Sequence, residues 1–202
     1  DYRGIADSQQ AAMPFDELQL SGWGKHDLDS AIQLLKTRFN AQTIHYLGHS
    51  CGGQIIGLAP SCTELNKIII AASGVSNWRL WPGVYKVGMF LVWKLLFPIA
   101  MFFRRKPLFS SHLLGKVPVP RKLVKDWLHW ARSDDYLFSP EHSLDLSNYI
   151  SMNQSLLKVS VSDGFYAPYE SLNSLVSQYS NCQVSELLIK PSDIGLKSIG
   201  HF

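Results

Sequence analysis

The fold of this chain follows from one segment, Gly48-His49-Ser50-Cys51-Gly52-Gly53, which contains the pattern G-x-S-x-G. The five residues before it, 43–47, are rich in β-branched and aromatic side chains and predict a strand. The small residues after it predict a helix over 52–58. A strand, a sharp turn and a helix in this order would present the Ser50 hydroxyl on an exposed turn, which is the context that gives the pattern meaning.

The turn explains its glycines, because side chains at Gly48 and Gly52 would collide with neighbouring backbone. It also places the backbone amide of Cys51 at the positive end of the helix dipole, where the amide can donate to a developing oxyanion. We interpret His49 as a backbone element or pocket wall whose ring points away from Ser50. The alternative is a Gly-rich turn with an idle serine.

Helices and strands alternate on both sides of this turn, which predicts an α/β fold with a mostly parallel sheet flanked by helices. The segment 67–72 is a nearly continuous apolar run, and we expect it to be buried on both faces of the sheet. The other elements that the periodicity predicts are a helix at 27–39, strands at 156–162 and 184–189, and a helix at 168–179.

The region 77–150 interrupts this alternation and is predicted to be a helical insertion. It holds five of the six tryptophans, namely Trp78, Trp81, Trp93, Trp127 and Trp130.

Composition excludes several classes of protein. The 202 residues are 46% hydrophobic and 17% charged, which suits one globular core. A net charge of +3 gives no reason to expect a nucleic-acid surface. The cysteines, Cys51, Cys62 and Cys182, are odd in number and lack the spacing of a metal site or disulfide framework. We therefore predict buried thiols in a reducing, cytoplasmic compartment.

The segment 48–53 resembles the nucleophile elbow of the α/β-hydrolase family. The segment Asp1-Tyr2-Arg3-Gly4-Ile5-Ala6-Asp7-Ser8 is similar to the loop after that family's fourth strand, with Ala6 in place of a usual glycine. The similarity is greatest to the serine esterase, lipase and serine aminopeptidase branch, particularly to uncharacterised bacterial hydrolases. It implies a hydrolase core at 1–76 and 151–202, and a helical cap at 77–150.

The resemblance also implies that the chain is truncated at its N-terminus. The family's third strand, and the loop after it that supplies a second oxyanion donor, would precede Asp1. We therefore expect the strand at 43–47 to lie at a sheet edge, and the chain as given to be a poorly stable, inactive piece of an active enzyme. Losing one oxyanion donor typically costs about 10²–10³ in rate.

A serine hydroxyl needs a base, and the base needs an orienting carboxylate. The resemblance implies the chain order Ser, Asp, His, which assigns Asp163 as the acid and His201 as the base. Asp163 follows a predicted strand, and His201 lies after the last one. Asp163 as a simple helix cap is the alternative, and the rival acids are Asp134, Asp135 and Asp193.

The activity implied is hydrolysis of a carboxylic ester through an acyl-enzyme, without a metal or organic cofactor. The alternatives are a non-catalytic binding or membrane-associated protein, and the same triad acting on a peptide, thioester or carbon–carbon bond. A capped pocket would be apolar and suit a lipophilic acyl substrate. The residues we expect to line it are His49, Trp78, Trp81, Trp127 and Trp130.

The apolar segment 84–103 has about the length of a transmembrane helix. Lys86, Lys94 and Pro98 argue against a simple span, since a lysine at the centre costs about 2.5–3.5 kcal/mol on insertion scales. We favour a cap over Ser50 for this segment. Peripheral membrane contact through residues 84–106, which end in the basic run Arg104-Arg105-Lys106, is the other interpretation.

Overall fold

The computed structural model describes residues 1–9, 18–103 and 117–201, and the backbone of 108–109. The chain forms two compact units: Asp1–Trp23 with Asn77–His142, and Gly24–Ser76 with Ser143–Phe202. We name the first the tryptophan unit and the second the sheet unit. Residues 1–23 thus belong to the same compact unit as most of the predicted insertion. A covering role for 77–150 stays a prediction.

Strands and helices alternate along the sheet unit. The bounds that follow are those of both units, within the described residues. The strands are β1 His45–His49, β2 Lys67–Ala71, β3 Leu108–Phe109, β4 Val119–Pro120, β5 Ser155–Val161 and β6 Gln183–Ile189. The α-helices are α1 Leu20–Gly22, α2 Asp29–Phe39, α3 Cys51–Gln54, α4 Tyr85–Leu91, α5 Phe97–Phe103, α6 Arg121–Arg132, α7 Ser147–Ser151 and α8 Tyr169–Val176. Two π-helical turns, Trp23–Leu28 and Val92–Leu96, precede α2 and α5.

The main sheet has the order β1-β2-β5-β6, and every neighbouring pair is parallel. The predicted parallel α/β class is therefore confirmed, and β1 lies at an edge as expected. The predicted strand ends differ from the observed ones by one or two residues. The second sheet joins β3 and β4 in antiparallel fashion within the tryptophan unit.

One face of the sheet is buried more deeply than the other. Ile68 and Ile70 are fully buried, whereas Ile69 between them is only partly buried. Ile70 faces α3, because a Cβ at Gly53 would come within 2.6 Å of its Cγ2 atom. The expectation that β2 is buried on both faces was wrong. His45, the first residue of β1, is exposed.

The tryptophan unit has its own core. Trp81 and Trp130 are nearly inaccessible, and α6 adds Leu123 and Val124 to the same core. The edge of the Trp93 ring meets the ring of Trp127 with centroids 4.9 Å apart. These contacts give the unit's aromatic residues a packing role.

A continuous helical run, Tyr85–Phe103, is long and apolar enough to cross a membrane by length and composition, and most of it is exposed. Its π-turn lies just before Pro98. Because proline has no N–H to donate, a local change of helical winding at this point is expected. Lys94 lies in this run, and its Nζ donates a hydrogen bond to the carbonyl of Arg132 at 2.6 Å.

Candidate active site

The predicted site residues follow the carboxyl ends of three parallel strands. Ser50 comes directly after β1, Asp163 comes two residues after β5, and His201 lies in the segment after β6. The carboxyl ends of parallel strands share one edge of a sheet, which is where open α/β sheets bind ligands. The topology therefore brings chain-distant residues to one edge.

Ser50 has the backbone geometry of a strained turn. Its φ is 52° and its ψ is −122°, in a region that residues with a side chain rarely adopt. A Cβ at Gly48 would come within 2.7 Å of the Gly53 backbone nitrogen. A Cβ at Gly53 would come within 2.2 Å of the Ser73 hydroxyl oxygen. Close packing therefore requires glycine at both positions.

The short helix α3 ends in carbonyls that tyrosine hydroxyls satisfy. Tyr46 donates to Gly52 at 2.9 Å, Tyr179 donates to Gly53 at 2.9 Å, and Tyr149 donates to Gln54 at 2.5 Å. A helix leaves its last carbonyls without intrahelical partners, so these bonds stabilise the end of α3. These three hydrogen bonds could not be predicted from the sequence, because no residue spacing connects the tyrosine hydroxyls to the carbonyls of the G-x-S-x-G segment.

We predict that Tyr179→Phe lowers the free energy of unfolding by about 1–3 kcal/mol, because it leaves a buried carbonyl without a donor. Urea unfolding followed by tryptophan fluorescence measures this. Tyr169→Phe is the matched control, since its hydroxyl contacts Glu186 on the surface, and we expect a change within about 0.5 kcal/mol. Equal midpoints for Tyr179→Phe and the parent chain would contradict the role of this bond.

His201 lies within hydrogen-bonding distance of Ser50. The His201 Nε2 atom and the Ser50 Oγ atom are 3.0 Å apart, a distance suited to proton transfer between a base and a hydroxyl. The His201 ring lies between two others, with centroid distances of 4.9 Å to His49 and 5.0 Å to Tyr166. Burial, followed by the charge of His49, lowers the pKa of His201 to about 4. The ring is therefore neutral at pH 7 and able to accept a proton.

His49 contacts the segment that carries His201. Its Nε2 lies 2.9 Å from the backbone oxygen of His201, within hydrogen-bonding distance. That its ring points away from Ser50 stays a prediction from turn geometry. The structure places the ring beside that of His201, with centroids 4.9 Å apart. His49 therefore helps to hold the segment that carries His201.

Asp163 holds the same segment from the other side. Its Oδ2 atom accepts hydrogen bonds from the Ser198 hydroxyl at 2.8 Å, the Ile199 amide at 2.9 Å and the Gly200 amide at 3.4 Å. The bonds from Ile199 and Ser198 lower the pKa of Asp163, so the carboxylate is ionised at neutral pH. Gly200 has a φ of 72°, which glycine adopts without strain, directly before His201.

Two of the three rival acids have other partners. Asp134 accepts from the Arg79 guanidinium at 2.5 Å within the tryptophan unit. Asp193 accepts from the Lys190 amide at 3.1 Å and caps the turn Pro191–Ile194. Of Asp134, Asp163 and Asp193, the carboxylate that bonds directly to the residues just before His201 is that of Asp163.

Other predicted residues are placed as follows. Cys51 is the first residue of α3, and burial raises the pKa of its thiol to about 12. Its side chain is therefore a neutral thiol at pH 7, and its oxyanion role stays a prediction about the amide. Trp78, Trp81, Trp127 and Trp130 belong to the tryptophan unit, and their pocket role also stays a prediction. The basic run 104–106 lies outside the described residues.

The pKa of His201 predicts the pH dependence of any reaction in which it is the base. Protonation removes the lone pair on Nε2, so kcat/KM falls as the pH drops through the folded-state pKa. We expect half of the activity to remain near pH 4, instead of near the value of about 6.5 for an unperturbed histidine. His49→Asn removes the neighbouring charge and shifts the midpoint upward. A midpoint of 6.5 or higher in the parent protein, with tryptophan fluorescence unchanged, would contradict the buried neutral ring.

Comparisons with known proteins place the fold. No protein-family model matches the chain, and no curated protein matches it. The match to a hydrolase from Oleispira antarctica covers 97% of this chain and 76% of that chain, at 15% identity and a TM-score of 0.52. The match to Est1E from Butyrivibrio proteoclasticus covers 93% and 64%, at 13% identity and a TM-score of 0.50. The chain is thus similar to proteins of one class and has the α/β-hydrolase fold.

Proposed function

We propose that this protein is a serine hydrolase that cleaves carboxylic esters through an acyl-enzyme intermediate. The observation that carries the proposal is the 3.0 Å separation between Ser50 Oγ and His201 Nε2. It is supported by the strained turn at Ser50 and by a pKa of His201 that keeps the ring neutral. The fold alone would not support it, because one fold hosts many functions.

In the first half-reaction, His201 Nε2 takes the proton of Ser50 Oγ as the oxygen attacks the ester carbonyl. The carbonyl π electrons move onto oxygen, and the Cys51 amide donates a hydrogen bond to that oxyanion. When the intermediate collapses, the carbon–oxygen bond to the alcohol breaks and His201 gives its proton to the leaving oxygen. Ser50 is then acylated.

In the second half-reaction, His201 takes a proton from water as the water attacks the acyl carbon. Collapse releases the carboxylic acid, and the proton returns to Ser50 Oγ. Asp163 fixes the segment that carries the imidazole, and its negative charge favours the imidazolium that forms twice per cycle. No step requires an electron acceptor or a group from outside the chain other than water.

The test is hydrolysis of p-nitrophenyl esters with acyl chains from acetyl to palmitoyl by the full-length gene product, followed through release of p-nitrophenol. We propose a lipophilic acyl group and therefore expect kcat/KM to rise from acetyl to at least octanoyl. No release above the buffer rate with any ester, from a protein that unfolds cooperatively, would contradict the proposal of ester hydrolysis. A peptide or thioester substrate would then be tested with the same Ser50 and His201 variants.

A second candidate function is contact with a lipid surface. The run Tyr85–Phe103 exposes large apolar side chains that a globular surface usually hides, and the basic run 104–106 follows it in sequence. Phe102 and Phe103 are 69% and 75% exposed. Apolar insertion beside positive charge suits an anionic bilayer.

Liposome flotation tests this candidate. We expect the protein to float with vesicles that contain phosphatidylserine and to float less with pure phosphatidylcholine. Phe102→Asp should reduce flotation, whereas Phe39→Asp, which changes an exposed phenylalanine of α2 in the sheet unit, should not. Equal flotation of the two variants would contradict a lipid-binding role for this run.

A further inference from the structure

We propose that His129, Glu141 and His142 form a binding site for a divalent transition-metal ion, with Zn²⁺ as the best-suited ion. All three residues belong to the tryptophan unit. One nitrogen of each histidine and one carboxylate oxygen lie within 4.8 Å of one another. This grouping could not be predicted from the sequence, because His129 is in the last turn of α6 whereas Glu141 and His142 belong to a separate turn, Pro140–His142.

The buried ring of His142 is the observation that points to a ligand. Its side chain is 2% exposed, and its Nε2 atom has no hydrogen-bond partner among the residues that the structure describes. That nitrogen lies 3.8 Å from Oε1 of Glu141, which is too far for a hydrogen bond. A buried polar atom without a partner is costly, and its persistence calls for a bound group.

The hydrogen bond made by the other nitrogen of the His142 ring determines which nitrogen can bind an ion. The ring of His142 also forms a hydrogen bond with the backbone of Tyr136. If Nδ1 carries that proton, the lone pair of the neutral ring is on Nε2 and faces Glu141. Metal-binding histidines are commonly oriented in this way, by donating the other N–H to a backbone carbonyl.

The chemistry of the three side chains suits a cation. Imidazole nitrogens and carboxylate oxygens both donate lone pairs to divalent metal ions. Two imidazoles and one carboxylate therefore present ligand atoms to a shared volume.

The geometry is close to that of a bound ion. Ligands at about 2.0–2.1 Å from tetrahedral zinc lie roughly 3.4 Å apart. His129 and Glu141 are exposed, so rotation of their side chains can close the remaining gap while His142 stays fixed. Two nitrogens and one oxygen suit zinc better than calcium or magnesium, which prefer oxygen ligands throughout. Solvent at the open side supplies the fourth ligand.

The site joins the end of α6 to the turn Pro140–His142, so the ion would stabilise the segment between them. We expect one Zn²⁺ per chain, bound at micromolar or lower dissociation constant, and a rise in melting temperature on binding. Millimolar Mg²⁺ or Ca²⁺ should not displace it.

The test uses the tag-free protein, stripped with a chelator and titrated with ZnCl₂ against a chromophoric chelator. His129→Ala and Glu141→Gln, which alter exposed side chains, should each weaken binding by about 10–100-fold or more and abolish the rise in melting temperature. His26→Ala, another exposed helical histidine, and Cys182→Ser should bind zinc like the parent. No stoichiometric zinc in the parent, or equal affinity in Glu141→Gln and His26→Ala, would overturn the proposal.

Discussion

Ser50→Ala is expected to lower kcat/KM for the best p-nitrophenyl ester by about 10⁴–10⁶-fold, since loss of a serine nucleophile removes the covalent route. The physical reason is that the Ser50 hydroxyl lies 3.0 Å from His201 Nε2, the proposed base. The mutation removes one oxygen from a turn whose backbone is fixed by other contacts, so the fold should persist.

The control for this variant is Ser192→Ala, which removes an exposed hydroxyl in the same unit. It should keep activity within about twofold, because surface substitutions of this kind change stability by less than about 0.5 kcal/mol. If Ser50→Ala keeps as much activity as Ser192→Ala, the chemistry occurs elsewhere on the molecule.

Asp163→Asn is expected to lower kcat/KM by about 10³–10⁴-fold, in line with loss of the carboxylate charge from a triad. Asparagine keeps an oxygen that can accept the bonds from Ser198, Ile199 and Gly200, which the carboxylate now accepts. The segment that carries His201 should therefore stay in place. The loss would come from the missing negative charge at residue 163, which stabilises the imidazolium in the proposed mechanism.

Asp163→Ala separates the two roles of this residue. It removes both the charge and the bonds, so activity should be as low as in Asp163→Asn, and the melting temperature should fall further. Asp193→Ala, which alters the cap of Pro191–Ile194, is the matched control and should keep activity within about threefold. Recovery of Asp163→Asn to within tenfold of the parent would mean that Asp163 only positions the segment.

The sequence could predict the sheet because its strands are local patterns. Runs of β-rich residues predicted β1, β2, β5 and β6 to within two residues, and the alternation of strand and helix predicted that they are parallel. The turn at Ser50 was predictable for the same reason, since Gly48 is required by contacts with Gly52 and Gly53 a few residues away. Gly53 is required by contacts with Ile70 and Ser73, which the local pattern does not reveal.

Long-range packing was not predictable from such patterns. The hydroxyls of Tyr149 and Tyr179 reach α3 from about a hundred residues away, and only the folded chain brings them there. The same holds for burial: apolar content suggested that β2 is covered on both faces, but coverage depends on which helices pack on the sheet. The contacts of His49 with His201 could not be predicted, because turn geometry does not reveal what later segments of the chain place beside it.

The most direct test of Ser50 as an activated nucleophile is labelling with a fluorophosphonate, followed by intact-mass and peptide mass spectrometry. The account predicts one adduct per chain, located on the peptide that contains Ser50, and strongly slowed labelling in His201→Ala. A folded protein that takes no label, or that is labelled on another residue at the parent rate after Ser50→Ala, would contradict it.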